Sequence, residues 1–181
     1  MRVVPEWRIM TQLGFKTLTT ENWLEPEEIL KAFVSLSSDG HIQSITSEAW
    51  AQRILEPHLS QAVPHEIQRL FEVARGAMIY GYFFYPLYTL ALEQVFRVVE
   101  TAVSDKCRSM AAPKPVRTFE QKINWLTEQS VIAAGEREQW HAIRGFRNIT
   151  SHPTTQMILT PGNTIGFLSD MVSRINSLFD N

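Results

Sequence analysis

Apolar residues recur at spacings of three and four over most of the chain after Pro64. The first such stretch runs through Ile67, Leu70, Phe71, Ala74 and Met78. A repeat of this period places its members on one face of an α-helix, whereas a half-buried strand alternates every second residue. No stretch of similar length alternates in that way, so the pattern predicts an almost entirely helical chain.

Four more long helices are predicted by the same repeat together with residues that start or stop helices. One is expected to begin after Pro86, and another at the capping box formed by Thr118 and Gln121. A third is expected from about Gly135 toward His152, with Pro153 at its end, and the last over about 165–179. Short links between successive long helices favour antiparallel neighbours. The fold class predicted for residues 63–181 is therefore an all-α, antiparallel bundle of four to five long helices.

Residues 1–62 predict a small helical accessory layer instead of a second core. One short helix is expected between Pro26 and Gly40, with an apolar stripe of Ile29, Phe33 and Leu36. A second is expected from about Ser47 to Leu55, stopped by Pro57 and burying Trp50 and Ile54.

Composition is that of one ordinary globular protein. The chain has 181 residues, of which 44% are hydrophobic and 20% charged, and its single cysteine, Cys107, cannot form an internal disulfide. The first 15 residues lack the uninterrupted apolar region of a secretory signal, so a cytoplasmic location is expected. Residues 76–92 are uncharged but include Gly81, Pro86 and four tyrosines. They predict buried helix segments bent at Pro86 and no membrane contact.

The net charge of -2 gives no general reason to expect nucleic-acid binding. One run differs, because Lys106 to Lys122 contains five basic residues and a single acidic one, Glu120. A phosphate-facing patch and a plain solvated face explain this run equally well.

The most informative segment is residues 140–153. On a helix, it is expected to turn its apolar residues to the core, namely Ala142, Ile143, Phe146 and Ile149. The opposite half then carries two adjacent polar stripes, Arg144, Arg147 and Ser151 beside His141, Asn148 and His152. From Trp140 onward this half has no Glu or Lys, the usual residues of a solvated face, and carries phosphate-binding and proton-transfer groups instead.

The pattern Arg-Asn-x-x-x-His, at Arg147, Asn148 and His152, resembles the motif of HEPN domains. The resemblance covers the motif, its place late in a helix followed by one more helix, and a preceding helix with Leu92 and Glu93. It implies a metal-independent endoribonuclease without a cofactor, often a toxin or antiviral effector. It also implies RNA as substrate, a homodimer that brings two Arg and His pairs together, and a possible cognate antitoxin or regulatory protein.

Each residue type suits RNA cleavage. His152 can exchange a proton with the ribose 2′-hydroxyl or the leaving 5′-oxygen near neutral pH, and Arg147 presents a charged fork to the phosphoryl oxygens. Asn148 is expected to position the phosphate or the histidine. Arg144, Ser151 and His141 are predicted to bind substrate, and Glu93 and Glu100 to act as supporting acidic residues. A second Arg and His pair, Arg53 and His58, lacks the asparagine and has Pro57 before its histidine, so it is set aside.

Three other interpretations stay open. His152 can instead cap the last helix carbonyls while Arg147 pairs with Glu93 or Glu100. Glu138 and His141 have the Glu-x-x-His spacing of di-iron bundles, but no second copy exists and no metal is expected. The chain can also be a non-catalytic HEPN-like module that binds a protein partner or nucleotide. Its tyrosines would then form a base-stacking surface or an interface, although packing in the core or a dimer is the commoner use.

Overall fold

A computed structural model describes residues 15–31, 34–36, 40–150 and 161–180 of the protein. Seven α-helices and two short strands lie within these ranges. In chain order they are α1 (Glu28–Lys31), β1 (Val34–Leu36), β2 (Ile42–Ser44), α2 (Ser47–Leu55), α3 (His65–Tyr80), α4 (Leu87–Ser109), α5 (Phe119–Glu128), α6 (Arg137–Thr150) and α7 (Pro161–Phe179). A 3-10 turn, Ala134–Glu136, leads into α6. The predicted all-α bundle is confirmed.

Helix α4 is the centre of the bundle. Helix α3 packs along it, and α5, α6 and α7 also contact it. Because it is covered from several directions, α4 buries small and β-branched residues around much of its circumference, among them Val95, Val98, Val99, Ala102 and Val103. The apolar repeat of α7 joins the same core through Leu168, Ile175 and Leu178.

Local capping explains where α5 begins. The Thr118 side chain accepts a hydrogen bond from the Gln121 backbone N–H, and the Gln121 side chain accepts one in return from the Thr118 backbone N–H. Two donors that the first helical turn leaves unpaired are satisfied in this way. The predicted capping box is confirmed.

The N-terminal layer is only partly helical, because the helix predicted after Pro26 is present but shorter than predicted. Helix α1 ends at Lys31, and Val34–Leu36 pairs as an antiparallel strand with Ile42–Ser44. β-Branched Val34 and Ile42 suit extended backbone, and Gly40 adopts a φ of +83° in the connection. The supposed stripe residue Ile29 is 37% exposed, and Phe33 lies outside the described residues. The second helix is confirmed as α2, with Trp50 and Ile54 buried.

Hydrogen bonds tie this layer to the link between α3 and α4. The buried carboxylate of Glu27 accepts from the Tyr85 backbone N–H at 3.2 Å, while the Glu27 N–H donates to the Tyr82 carbonyl at 3.1 Å. The indole Nε1 of Trp50 donates to the Met78 carbonyl at 3.0 Å, and the Tyr82 hydroxyl donates to that of Ile45 at 2.9 Å. Buried polar groups are thereby satisfied across the junction.

Three of the four tyrosines belong to the core. Together with Trp50 and Phe15 they form an aromatic cluster, defined here as Phe15, Trp50, Tyr82, Tyr85 and Tyr88. Its ring centroids lie 5.1 Å apart for Tyr85 and Tyr88 and 5.6 Å apart for Trp50 and Tyr88, both edge to face. Tyr80 alone of the four is largely exposed, at 60%. Core packing is thus confirmed for the other three. Among the described residues, no helix is long and apolar enough to cross a membrane.

Candidate active site

Helix α6 is turned differently from the sequence prediction. Trp140 and Ile143 are buried, whereas Ala142 is exposed and Phe146 is 49% exposed. The bulky indole of Trp140 gains most from burial and sets the rotation of the helix. Arg147 follows Trp140 by seven residues, about 20° from alignment on a helix, so it extends the inner face. The predicted core face is therefore wrong for Ala142 and Phe146 and confirmed for Ile143, while the side chain of Ile149 lies outside the described part.

This rotation brings Arg147 against the central helix. Its Nη2 donates a hydrogen bond to Glu100 Oε2 of α4 at 2.9 Å, with the two side chains 42% and 36% exposed. One of the predicted pairings is therefore present, with Glu100 as the partner. At this exposure an ion pair contributes at most about 1 kcal/mol to folding stability. The main effect of Glu100 is to hold the guanidinium in one orientation.

Arg147 opens onto a small polar cavity on α4. The cavity has a volume of about 140 Å³ and is lined by Glu93, Phe96, Arg97 and Arg147; we call it the arginine cavity. Phe96 is buried and packs edge to face on Phe167 of α7, with ring centroids 5.4 Å apart. Two guanidinium groups and one carboxylate thus share a recess anchored on the core.

A second, shallower recess lies on the other side of Arg97. It has a volume of about 320 Å³ and is lined by Leu70, Gln94, Arg97, Glu100 and Thr101. Its polar groups are partly used within the fold, since Gln94 Nε2 donates to the Leu70 carbonyl and the Thr101 hydroxyl donates to that of Arg97. Arg97 is common to both recesses.

His141 and Arg144, predicted to bind substrate, face helix α5 instead. His141 Nε2 lies 3.0 Å from Asn124 Oδ1, which also accepts a hydrogen bond from Arg137 Nε at 3.0 Å. An amide oxygen only accepts, so we assign the imidazole proton to Nε2. Arg144 Nη1 lies 3.2 Å from Glu120 Oε2. His141 and Arg144 therefore contact α5, whereas Arg147 contacts α4.

The other predicted site residues of this segment are Asn148, Ser151 and His152. Ser151 and His152 lie outside the described residues, and Asn148 is described only as backbone within α6. Glu93 and Glu100, the predicted acidic support, both reach the region of Arg147. Across the part of the chain that is described, no group of three or more His, Cys, Asp or Glu side chains could hold a metal ion.

The basic run between Lys106 and Lys122 is engaged mainly in contacts within the chain. Lys122 Nζ donates to the Ser104 hydroxyl at 2.8 Å, Arg108 pairs with Asp105, and Lys106 lies over the Phe179 ring. These contacts favour a structural face over a phosphate patch. Cys107 within the run is buried, and burial raises the pKa of its thiol. The thiol therefore stays protonated, which fits a core residue and not a nucleophile.

Sequence reasoning missed Arg97 and Phe96 as site residues. Glu93, Arg97 and Glu100 follow one another by four and three positions, so the spacing alone places Arg97 between the two acidic residues. The Arg53 and His58 pair lies on α2 and in the loop after it, away from this site. No protein-family model, curated protein or solved structure matches the chain. Function is therefore inferred from the residues and their geometry.

Proposed function

We propose that the chain is a metal-independent endoribonuclease of HEPN type that acts as a toxin or antiviral defence effector in the cytoplasm. The single observation that carries the proposal is the placement of Arg147. Its guanidinium is braced by Glu100 on the central helix and opens onto a polar cavity that contains a second arginine.

In the proposed reaction, the ribose 2′-oxygen loses its proton and attacks the adjacent phosphorus. The bond between phosphorus and the 5′-oxygen breaks, leaving a 2′,3′-cyclic phosphate, and the leaving 5′-oxygen gains a proton. His152 supplies or accepts a proton in this sequence, and Asn148 helps to position the phosphate. Arg147 stabilises the negative charge that builds on the phosphoryl oxygens.

The bond to Glu100 is compatible with this role for Arg147. Arg147 bonds to Glu100 through Nη2, and the planar fork of a guanidinium matches two phosphoryl oxygens. Because Glu100 fixes the plane of the fork before substrate arrives, less orientational entropy is lost on binding. A lysine at this position would offer a point charge without the fork.

The test is RNA cleavage by purified single variants. Arg147→Ala and His152→Ala are each expected to lower the cleavage rate by about 10² or more. Loss of the pair with Glu100 in Arg147→Ala should cost at most about 1 kcal/mol of folding stability. Arg147→Lys should recover only part of the activity. Chelation of divalent metals should leave the rate unchanged.

Arg53→Ala and His58→Ala are the matched controls, because they remove the other Arg and His pair of the same spacing. Both are expected to cleave at the wild-type rate. Cleavage that survives in the Arg147 and His152 double variant, or that disappears with chelator, would contradict the assignment of these residues.

A second candidate is a non-catalytic module that binds a protein partner or nucleotide. Phe146 favours it, because this large apolar residue is exposed beside Ala142 on the outer side of α6. Wild-type protein that leaves RNA intact, together with a partner complex that is lost in Phe146→Ser, would support this module over the nuclease.

Homodimerisation remains a proposal drawn from the resemblance, as does a cognate antitoxin. Most residues of the α7 apolar repeat and three of the four tyrosines are buried within the chain, so these apolar surfaces do not require a second copy. Light scattering at micromolar concentration measures the oligomeric state directly. Co-expression with a neighbouring gene tests for an antitoxin.

A further inference from the structure

Arg97 is a basic residue of the site that no side-chain contact within the described residues holds in place. It is exposed on α4, and its side chain makes no hydrogen bond or ion pair with any other residue in the described ranges. Arg147 and Arg144, by contrast, each pair with a glutamate. An unpaired guanidinium stays fully available to an external anion.

Two recesses beside Arg97 offer space for such an anion. On one side lies the arginine cavity of about 140 Å³, which Arg97 shares with Arg147; on the other lies the recess of about 320 Å³. The smaller volume is well above what one water needs, and two guanidinium groups line it. A chain of phosphates laid along α4 would pass from Arg147 over Arg97 into the wider recess.

We propose that Arg97 binds a backbone phosphate of a single-stranded RNA, next to the phosphate held by Arg147. The inference rests on the proposed function and adds to it a substrate class and a binding residue. Single-stranded RNA is the class that fits, because a flexible strand can follow two small recesses along one helix, whereas a rigid duplex cannot enter them. Arg97 acts in binding and does not transfer a proton.

Glu93 provides a second test, in which the expected change in RNA binding has the opposite sign. Its carboxylate also lines the arginine cavity and, like Arg97, has no hydrogen bond or ion pair with the residues described. A negative charge there opposes phosphate binding. Removing the charge of Glu93 should tighten RNA binding, whereas removing that of Arg97 should weaken it.

The experiment measures binding of a single-stranded 2′-O-methyl RNA, which lacks the free 2′-hydroxyl and is not cleaved by 2′-oxygen attack. Arg97→Ala should weaken binding by about tenfold and reduce the slope of log affinity against log salt by about 0.7, the contribution of one phosphate on a single strand. Arg97→Lys should retain most of the slope, and Glu93→Gln should bind more tightly than wild type.

Arg53→Ala is the matched control, since it removes the same charge from an exposed position on α2, and it should bind like wild type. With cleavable RNA, Arg97→Ala is expected to raise KM by about tenfold with kcat nearly unchanged, the result of lost ground-state binding. An unchanged slope in Arg97→Ala, an equal loss in Arg53→Ala, or weaker binding in Glu93→Gln would overturn the proposal.

Failure of the nuclease proposal and failure of the phosphate site give different results. Binding that depends on Arg97 while natural RNA stays intact would contradict the nuclease and leave the phosphate site standing. Cleavage that depends on Arg147 but not on Arg97 would contradict the phosphate site alone.

Discussion

The aromatic cluster and the arginine cavity both adjoin helix α4, the cluster through Tyr88, and they differ mainly in burial. Tyr88, near the start of the helix, is buried among aromatic rings, while Arg97, nine residues later, is exposed between two recesses. Polar groups at the cluster mostly bond to backbone within the fold, whereas the Arg97 side chain makes no hydrogen bond or ion pair with the described residues. One helix thus carries structural stability at one end and candidate chemistry further along.

This contrast predicts that substitutions in the cluster change stability and not RNA binding. Gly81→Ala is the sharpest case, because a Cβ at Gly81 would lie 2.8 Å from the Cε1 and Cζ atoms of Tyr88. The ring is buried and packed edge to face on Trp50 and Tyr85, so the added methyl group should lower the free energy of unfolding by about 1–3 kcal/mol. Denaturant unfolding measures the change.

Gly76→Ala is the matched control on α3. Nothing lies within 4 Å of the position its Cβ would occupy, so the substitution should raise stability by about 0.5–1 kcal/mol. Loss of RNA binding in correctly folded Gly81→Ala protein would show that the two regions are not separate.

Much of the fold was predictable because helix-forming signals are local. The start of α5 followed from Thr118 and Gln121, and α2 from the spacing of Trp50 and Ile54. The strand Val34–Leu36 could not be predicted, because a three-residue strand has no periodicity that distinguishes it from a helix.

The site was predictable only in part. The pairing of Arg147 with Glu100 was among the alternatives, but the rotation of α6 depends on where Trp140 finds space in the bundle. That is a property of tertiary packing and not of the helix alone. The same rotation of α6 places Arg144 and His141 in contact with α5.

Tyr88→Phe should change folding stability by a smaller amount, and the pH dependence of that stability tests the burial of the Tyr88 hydroxyl. Burial raises the pKa of the Tyr88 hydroxyl, with the nearby Tyr85 and Tyr82 adding to the rise, and that hydroxyl has no hydrogen-bond partner among the described residues. Removing an unsatisfied buried hydroxyl should stabilise the fold by about 1 kcal/mol or leave it unchanged.

The sign of the pH effect follows from the raised pKa. Above pH 10, the ordinary value for tyrosine, the unfolded chain loses this proton while the folded chain keeps it. Stability that is present below pH 10 is therefore lost as pH rises, and Tyr88→Phe should lose less of it. Tyr80→Phe, at an exposed position, serves as the control. A steeper alkaline loss in Tyr88→Phe would contradict the burial of this hydroxyl.

The central claim is that RNA binds along α4 and α6 and not at the aromatic cluster, and hydrogen exchange with mass spectrometry tests it most directly. Exchange is compared with and without saturating 2′-O-methyl RNA. Peptides covering 93–101 and 140–150 should exchange more slowly with RNA, and those covering 80–88 should not change. Slower exchange at 80–88 with none at 93–101 would contradict the account.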